Sequence, residues 1–312
     1  MSKKKSFIIL FVLLFILIDI IVLGYVVYLQ NYQNPEPKNF TRVQKEIYIA
    51  PYVGDIDGEV SEDWFFFYDK ITDFHEETGI PVVFSFYPYS IQDDKEFNKI
   101  FKRMYDINNI ELMQKGYKGD EVELRMDELS YEEQREIIKK GQDHFIEKMK
   151  EITGSDNIKI PVLYNQIGAR FTNETQRAAE SLGFIFYFDV YVGDYLNSIQ
   201  STESFDSTEY GISFTKTGGA GREEEFKTTD QIISEINNFS REDMEVLTIE
   251  GKYFIPLWAH QQDFEDVSKD NRIDEKKWQI YIETLNALND DPNIKLITPI
   301  DAYHMRRKSL RL

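Results

Sequence analysis

Apolar stretches of strand length alternate along most of this chain with longer segments in which apolar residues recur every three or four positions. The first pattern predicts buried β-strands, and the second predicts amphipathic helices. Polar residues seldom interrupt the predicted strands, which indicates that they are buried on both faces. The predicted strands are residues 47–53, 80–87, 110–113, 160–164, 184–190, 212–215, 245–249, 252–258 and 294–297. The predicted helices are residues 62–78, 97–105, 130–152, 172–182, 230–237 and 275–288.

This alternation predicts a single α/β domain with a mostly parallel sheet covered by helices, because parallel neighbours are joined by long crossovers. The domain spans residues 46–306, and no internal repeat or change of composition divides it. An open doubly wound sheet and a (β/α) barrel both fit the periodicity. Hydrophobic residues make up 42% of the chain, which is enough for one large core.

A different pattern, apolar almost throughout, occupies residues 7–29. About 20 such residues cross a bilayer as one helix. Lysines at positions 3–5 precede the run, so the positive-inside rule predicts a cytoplasmic tail of residues 1–6 and an exterior location for the rest. A cleaved signal peptide is the alternative, but its apolar core would be shorter and end in small residues, whereas this run continues through Tyr28. We therefore expect a single-pass anchor in the cell membrane, followed by a linker at residues 30–45.

The net charge and the absence of cysteine exclude several partners and reactions. The formal net charge of −19 argues against a nucleic-acid partner, because phosphate binding requires basic surface. Cysteine is absent, which excludes disulfides, thiolate catalysis and a lipoprotein anchor together.

Residues 110–120 carry the most informative motif, IELMQKGYKGD. It resembles the second motif of polysaccharide deacetylases of the NodB-homology type (carbohydrate esterase 4-like). In that family a short strand runs into His-Gly-Tyr-Xaa-His, whose two histidines hold a catalytic zinc. Gly116 and Tyr117 preserve the frame of the loop, but the two ligand positions hold Lys115 and Gly119. Through motif order the resemblance covers most of residues 47–300.

The resemblance implies a distorted, incomplete (β/α) barrel with its site at the carboxyl ends of the strands. The first family motif is a strand followed by Asp-Asp-Gly, which supplies a base and a metal ligand. Here the strand is followed by Asp55, Ile56, Asp57 and Gly58, so that Asp57 takes the ligand place and Asp55 lies one residue from the base place. Asp and Gly are also ordinary turn residues, and that interpretation stays open.

The third motif is altered, whereas the fifth is partly kept. The Arg-Pro-Pro-Tyr-Gly motif falls on residues 164–168, YNQIG, with Tyr164 in place of the arginine that orients the base. Arg170 lies close enough in sequence to compensate, or is a surface residue. The fifth motif, an apolar strand that delivers the general acid, resembles residues 255–260, IPLWAH, and places His260 in the acid position beside Asp263.

These correspondences define the candidate site. The catalytic candidates are Asp55, Asp57 and His260. The candidates for binding a sugar chain are Tyr117, Tyr164, Gln166, Arg170, Trp258, Gln261 and Asp263. Since parallel strands share one carboxyl edge, we expect one cleft to contain Asp55, Asp57, Tyr164, Gln166 and His260. Lys115 is expected near Asp57, where its ammonium would replace the charge of the missing metal.

The altered motifs leave both the cofactor and the function open. A catalytic zinc needs three protein ligands, and two of them are replaced, so we expect no metal or other cofactor. The alternative is a divalent cation held through Asp57 together with Glu111, Gln114 or Asp120. The chain is then a deacetylase-like protein that acts on cell-surface glycan through a rearranged site, a non-catalytic glycan-binding protein, or a structural protein of the envelope.

Overall fold

The computed structural model describes residues 47–56, 62–91, 94–166, 172–188, 191–193, 211–216, 225–238, 248–249, 252–266 and 273–309. Within these ranges no helix combines the length and the apolar character that a membrane span requires. The predicted anchor, residues 7–29, and the linker, residues 30–45, lie outside them.

Strands and helices alternate in the described chain as the apolar pattern predicts. The strands are β1 (Ile47–Ile56), β2 (Val82–Phe86), β3 (Ile110–Lys115), β4 (Leu163–Asn165), β5 (Ile185–Phe188), β6 (Tyr191–Gly193), β7 (Ile212–Ser213), β8 (Thr248–Ile249), β9 (Lys252–His260) and β10 (Ile294–Leu296). The helices are α1 (Glu62–Thr78), α2 (Lys95–Asp106), α3 (Tyr131–Thr153), α4 (Asn173–Ser181), α5 (Thr229–Asn238), α6 (Glu275–Asp290) and α7 (Pro299–Ser309).

The strands form one sheet in the order β6-β5-β4-β3-β2-β1-β9-β7. All neighbours in this path are parallel except β5 and β6. β10 pairs with the start of β1, and β8 pairs antiparallel with β9. From β1 to β6 the neighbours follow sequence order, and β9 and β7 lie on the other side of β1. The prediction of an α/β fold with a parallel sheet is confirmed.

Local sequence signals set most helix ends. α3 begins after Ser130, which forms a capping box with Glu133, and ends at Gly154 in the left-handed conformation (φ +67°). α2 begins after Asp94, whose side chain accepts two backbone N–H groups. Three features differ from the prediction. The strand expected at residues 160–164 begins only at Leu163, and the strand expected at residues 184–190 is replaced by β5 and the antiparallel β6. Helix α7, after β10, was not predicted.

The two faces of the sheet bury different clusters. Ile49 of β1 and Phe84 of β2 face outward into a large aromatic core shared with the helices. Tyr52 and Trp258 face inward, in a second cluster that helix α7 joins through Ala302. Because successive side chains of a strand point to opposite faces, a residue's place along its strand decides whether it reaches the interior of the sheet. The inner face at the carboxyl ends of the strands is therefore where a site can form.

Glu111 lies on the inner face at the opposite, amino end of β3. Its carboxylate accepts hydrogen bonds from the Thr298 hydroxyl and the Ile300 N–H, and Asp301 and Lys159 also face it. Burial raises the pKa of Glu111 to about 7, because removing the charged carboxylate from water outweighs these contacts. Glu111 thus interacts with the beginning of α7 and lies at the wrong end of the sheet to share a cation with residues at the carboxyl ends.

Replacing Glu111 with glutamine should raise the free energy of unfolding at pH 8 by up to about 3 kcal/mol. The folded-state pKa lies above that of a free glutamate, so its stabilising effect is complete below about pH 4.5 and is lost as the pH rises through 7. Near pH 4 the substitution should therefore change little. Denaturant titrations of the full chain in detergent at both pH values test this, with exposed Glu77→Gln as the control. An equal effect at pH 4 and pH 8 would contradict the ionisation of a buried Glu111.

Candidate functional site

The carboxyl ends of β1 and β9 bring a glycine and a histidine side by side. Gly54 is in register with His260, and a β-carbon on Gly54 would lie 2.9 Å from Cδ2 and 3.4 Å from Nε2 of the imidazole. Only glycine, which has no β-carbon, leaves room for the imidazole of His260 at this position. The pairing of β1 with β2 shifts register between Val53 and Ile56, the kind of irregularity that redirects side chains at a strand end. The side chain of Asp55 and all of Asp57 lie outside the described residues.

His260 is held over a buried carboxylate. Its side chain is 17% exposed, and Nδ1 lies 3.8 Å from Oδ2 of Asp263, which is fully buried. The same oxygen accepts the backbone N–H of His260 at 2.7 Å, within the 3₁₀ turn Gln261–Phe264. The ring of Trp258 packs against the imidazole at 5.1 Å and 79°. A histidine that is partly exposed and oriented by a carboxylate suits proton transfer or hydrogen bonding to a ligand.

A buried glutamate, Glu123, shapes the loop that follows β3. Its carboxylate accepts three backbone N–H groups, from Tyr117 at 2.9 Å, Lys118 at 2.9 Å and Gly119 at 3.1 Å. The pKa of Glu123 is raised because desolvation outweighs these bonds. Sequence reasoning missed this residue. The available signal was its place three residues after Asp120, whose side chain accepts the N–H of Glu123 and starts the turn.

Gln114 is likewise committed to the packing of this loop. Its Nε2 donates to the carbonyl oxygens of Gly116 and Ile138, both at 2.9 Å. A β-carbon at Gly141 of α3 would lie 2.5 Å from that nitrogen, so the glycine lets the helix approach the loop. The amide of Gln114 faces α3, and it does not act as a cation ligand in this arrangement.

The two positions that hold zinc-binding histidines in the deacetylase motif both face one tyrosine ring. Lys115 is buried, and its Nζ lies 5.8 Å from the centroid of Tyr87. Gly119 has φ +80°, and a β-carbon there would lie 3.1 Å from the same ring. An ammonium group and a glycine offer zinc none of its usual donors, and a side chain at position 119 would be strained and press on Tyr87. These residues do not fit a zinc ion.

Across the described ranges, no group of three histidine, aspartate or glutamate side chains is arranged to hold a metal. Asp57, the proposed ligand of the alternative divalent cation, lies outside the described residues. The prediction about Asp57 and its proximity to Lys115 therefore stays a prediction.

Three predicted sugar-binding residues lie away from the inner face. Tyr164 is fully buried against Phe184 and donates a hydrogen bond to Gln166 at 2.7 Å. Gln166 in turn donates to the carbonyl oxygen of Glu123 at 2.9 Å. Gln261 is buried and accepts the hydroxyl of Tyr68. Burial leaves these side chains no surface for a ligand, so in this structure they support the loops around the site. Arg170 lies outside the described residues.

The two-residue alternation of β4 explains which of its residues face the interior instead of Tyr164. Leu163 of β4 faces inward and Tyr164 outward, so Asn165 faces inward again, in register with Lys115. Asn165 is 5% exposed, and its Oδ1 has no hydrogen-bond partner among the described residues. The same holds for Nε1 of Trp258. Both atoms are themselves buried, so in this arrangement they mark the polar character of the inner face and do not reach a ligand. Asn165 was not among the sequence-based candidates.

The described site therefore has an inner edge at the carboxyl ends of the strands and a rim formed by the loops. The inner edge contains His260 beside Gly54, Trp258 below it, and Lys115 beside Asn165. Tyr117, half-exposed on the loop after β3, lies on the rim.

Comparison with known proteins identifies the fold. No protein-family model matches the sequence, and no curated protein matches it. The structure is similar to that of 4-α-glucanotransferase from Thermococcus litoralis, with a TM-score of 0.53, 13% identity, and coverage of 83% of this chain and 40% of that chain. It is also similar to a putative polysaccharide deacetylase from Mycobacterium smegmatis, with a TM-score of 0.51, 14% identity, and coverage of 85% and 92%.

A mutant of a pseudoenzyme of the CE4 family matches with a TM-score of 0.49 and 10% identity, over 83% of this chain and 67% of that chain. Identities this low concern the fold alone. At that level the resemblance seen in the motif order is confirmed, since the chain has an α/β fold with a parallel sheet, similar to the NodB-type deacetylase domain.

The contact between Gly119 and Tyr87 can be tested through stability. Gly119→Ala should lower the free energy of unfolding by at least about 1 kcal/mol more than Gly79→Ala. Both glycines have positive φ, +80° and +68°, but a β-carbon at Gly79 meets no atom within 4 Å. Gly79→Ala is therefore the control, because it introduces the same kind of backbone strain, about 1–2 kcal/mol, without a contact like that with Tyr87. Denaturant titration of both variants is the measurement, and equal losses would show that Tyr87 does not press on position 119.

Proposed function

We propose that this chain is a membrane-anchored, extracytoplasmic protein that binds cell-surface glycan on a deacetylase-type fold and does not use the family's zinc chemistry. One observation carries the proposal. The inner edge keeps His260 beside Gly54. Lys115 and Gly119, at the two zinc-ligand positions of the second motif, instead face the ring of Tyr87. The site thus retains polar and aromatic groups for a ligand without the donors that the metal needs.

The sheet supports a barrel with an open seam. Its strand order would close on itself between β6 and β7, and no pairing joins these two strands in the described part of the chain. In an incomplete barrel of this kind, the carboxyl ends of the strands form a cleft that is open to a chain-like ligand. Two structures with this fold are named for polysaccharide and glucan chemistry.

The available side chains suit a saccharide. Sugar rings are recognised by aromatic faces and by hydrogen-bonding amides, hydroxyls and imidazoles. The inner edge offers the partly exposed imidazole of His260, and the rim offers the half-buried ring of Tyr117.

The location rests on the sequence. Residues 7–29 form an apolar run of membrane-spanning length after three lysines, which favours a cytoplasmic amino terminus and an exterior domain. A glycan of the cell surface is the ligand that such a location supplies.

Hydrolysis through a rearranged site is the second candidate. The position of His260 beside the buried carboxylate of Asp263, with 3.8 Å between Nδ1 and Oδ2, favours it. It also requires a group that activates water, and the carboxylates of Asp55 and Asp57 would have to supply or hold that group.

A binding and product assay separates the two candidates. The full chain, purified in detergent, should bind an N-acetylated chitin hexasaccharide saturably in calorimetry and release no acetate from it, with or without added Zn²⁺. His260→Asn should weaken binding by about three- to tenfold, which corresponds to the loss of one hydrogen bond. His304→Asn, an exposed histidine on α7, is the control. Acetate release that depends on His260 would favour hydrolysis, and absence of binding would reject a glycan-binding function.

Protease accessibility tests the topology. Protease added to intact cells should digest the domain that follows residue 29, because the anchor places it outside the membrane. A cytoplasmic protein, protected until the cells are permeabilised, is the internal control. If the domain is protected in intact cells and digested only after permeabilisation, the proposed orientation is wrong.

A further inference from the structure

Two tyrosines, a histidine and two lysines cluster on the rim of the site. This tyrosine–lysine patch consists of Tyr89, Tyr117, His144, Lys118 and Lys140. Tyr89 belongs to the 3₁₀ turn Pro88–Ser90 after β2, and Tyr117 and Lys118 belong to the loop after β3. α3 contributes His144 and Lys140, one helical turn apart. The three rings are half-buried and the two lysines are exposed.

The rings are fixed in place by contacts with one another and with the backbone. Tyr117 lies at the centre, with its ring 5.7 Å from Tyr89 at 81° and 5.7 Å from His144 at 69°. The N–H of Tyr89 donates to the carbonyl oxygen of Tyr117 at 3.0 Å. Nε2 of His144 lies 3.2 Å from the carbonyl oxygen of Ile91. The patch is therefore part of the folded framework, since three separate elements converge on it.

Both lysines rest on these rings. The Nζ of Lys140 lies 4.6 Å from the centroid of Tyr117, and the Nζ of Lys118 lies 4.8 Å from that of Tyr89. In the part of the chain that the structure describes, neither ammonium forms an ion pair with a carboxylate. An ammonium on an aromatic face keeps its N–H donors for an anion.

Two neighbouring carboxylates are engaged elsewhere. Asp143, one helical turn from Lys139, pairs with that lysine. Glu123 turns its charge inward to the N–H groups of the loop, including that of Lys118 itself. Within the described residues, neither ammonium group pairs with a carboxylate, although the chain has a formal net charge of −19. Cations kept free of carboxylates on so acidic a surface indicate a local site for an anion.

The patch adjoins the inner edge through Tyr87. That ring contacts Lys115 and Gly119 on one side of the loop, and Tyr89 follows two residues later on the rim. A saccharide chain bound at the inner edge would have to extend past Tyr87 to reach the patch.

Resting on the proposed glycan-binding function, we propose that the ligand is an anionic glycan, whose acidic groups, carboxylate or phosphate, pair with Lys118 and Lys140. Tyr89 and Tyr117 hold the two ammonium groups at a fixed separation, so that the patch recognises charge borne on a sugar chain. The rest of the acidic surface repels polyanions, which confines binding to this rim.

The experiment compares three ligands on the full chain in detergent: a hyaluronan hexasaccharide, which carries carboxylates, a poly(glycerol phosphate) chain, which carries phosphates, and the neutral chitin hexasaccharide. At least one acidic ligand should bind about tenfold more tightly than the neutral one, and which one does so identifies the acidic group. The double variant K118Q/K140Q should abolish this difference and leave binding of the neutral ligand unchanged. K118R/K140R should retain it.

K102Q/K139Q is the matched control, because it removes two exposed lysines that are paired with Asp106 and Asp143 and changes the net charge equally. It should alter binding of the acidic ligand less than twofold. Equal weakening by both double variants, or no preference for either acidic ligand over the neutral one, would overturn the inference while the neutral ligand still supports glycan binding. Failure of all three ligands to bind would reject the proposed function and this inference together.

Discussion

The parallel pairing of β1 with β9 is the constraint on which the candidate site depends. The register runs without a shift from Ile47 opposite Tyr253 to Gly54 opposite His260. A slip of one residue would turn every side chain of one strand to the other face, placing His260 among the helices and Ala259 inside. Packing on both faces opposes such a slip, since it would move Phe254 and Trp258 out of the inner cluster and Ile255 and Leu257 out of the outer one. Hydrophobic burial thus fixes the position of the one histidine at the inner edge.

The loop after β3 shows how a metal-binding motif can keep its shape with different chemistry. Three N–H groups converge on the carboxylate of Glu123, and the raised pKa of that carboxyl shows that burial is costly even with these bonds. Tyr87 occupies the space in front of Gly119. The loop is therefore held by contacts within the protein, in agreement with the rule that a fold alone does not determine function.

Charge is distributed unevenly over the described surface. Several lysines of the described helices pair with a carboxylate on the same helix, such as Lys102 with Asp106 and Lys148 with Glu151. Lys118 and Lys140 instead face tyrosines beside the site. Weak surface pairs contribute little to stability, so the difference matters more for what the surface can bind than for how firmly the chain folds.

The sequence by itself determined the class of fold, because strand and helix periods and caps such as Ser130 act locally. Motif order predicted the NodB-type fold, and the end of an apolar strand identified His260 and Trp258. Helix α7 was missed because its amphipathic pattern is weak and its burial depends on the inner face of the sheet.

Only the tertiary structure decided which neighbouring residues face the site. Tyr164 and Gln166 occupy positions of the third family motif, yet the alternation of β4 turns Tyr164 outward and leaves Asn165 inside. Sequence periodicity shows that alternate residues share a face but not which face is the interior, because that depends on which side the helices cover. The role of Glu123 and the meeting of Tyr87 with Gly119 required coordinates for the same reason, since contacts between separate loops leave no periodic trace in the chain.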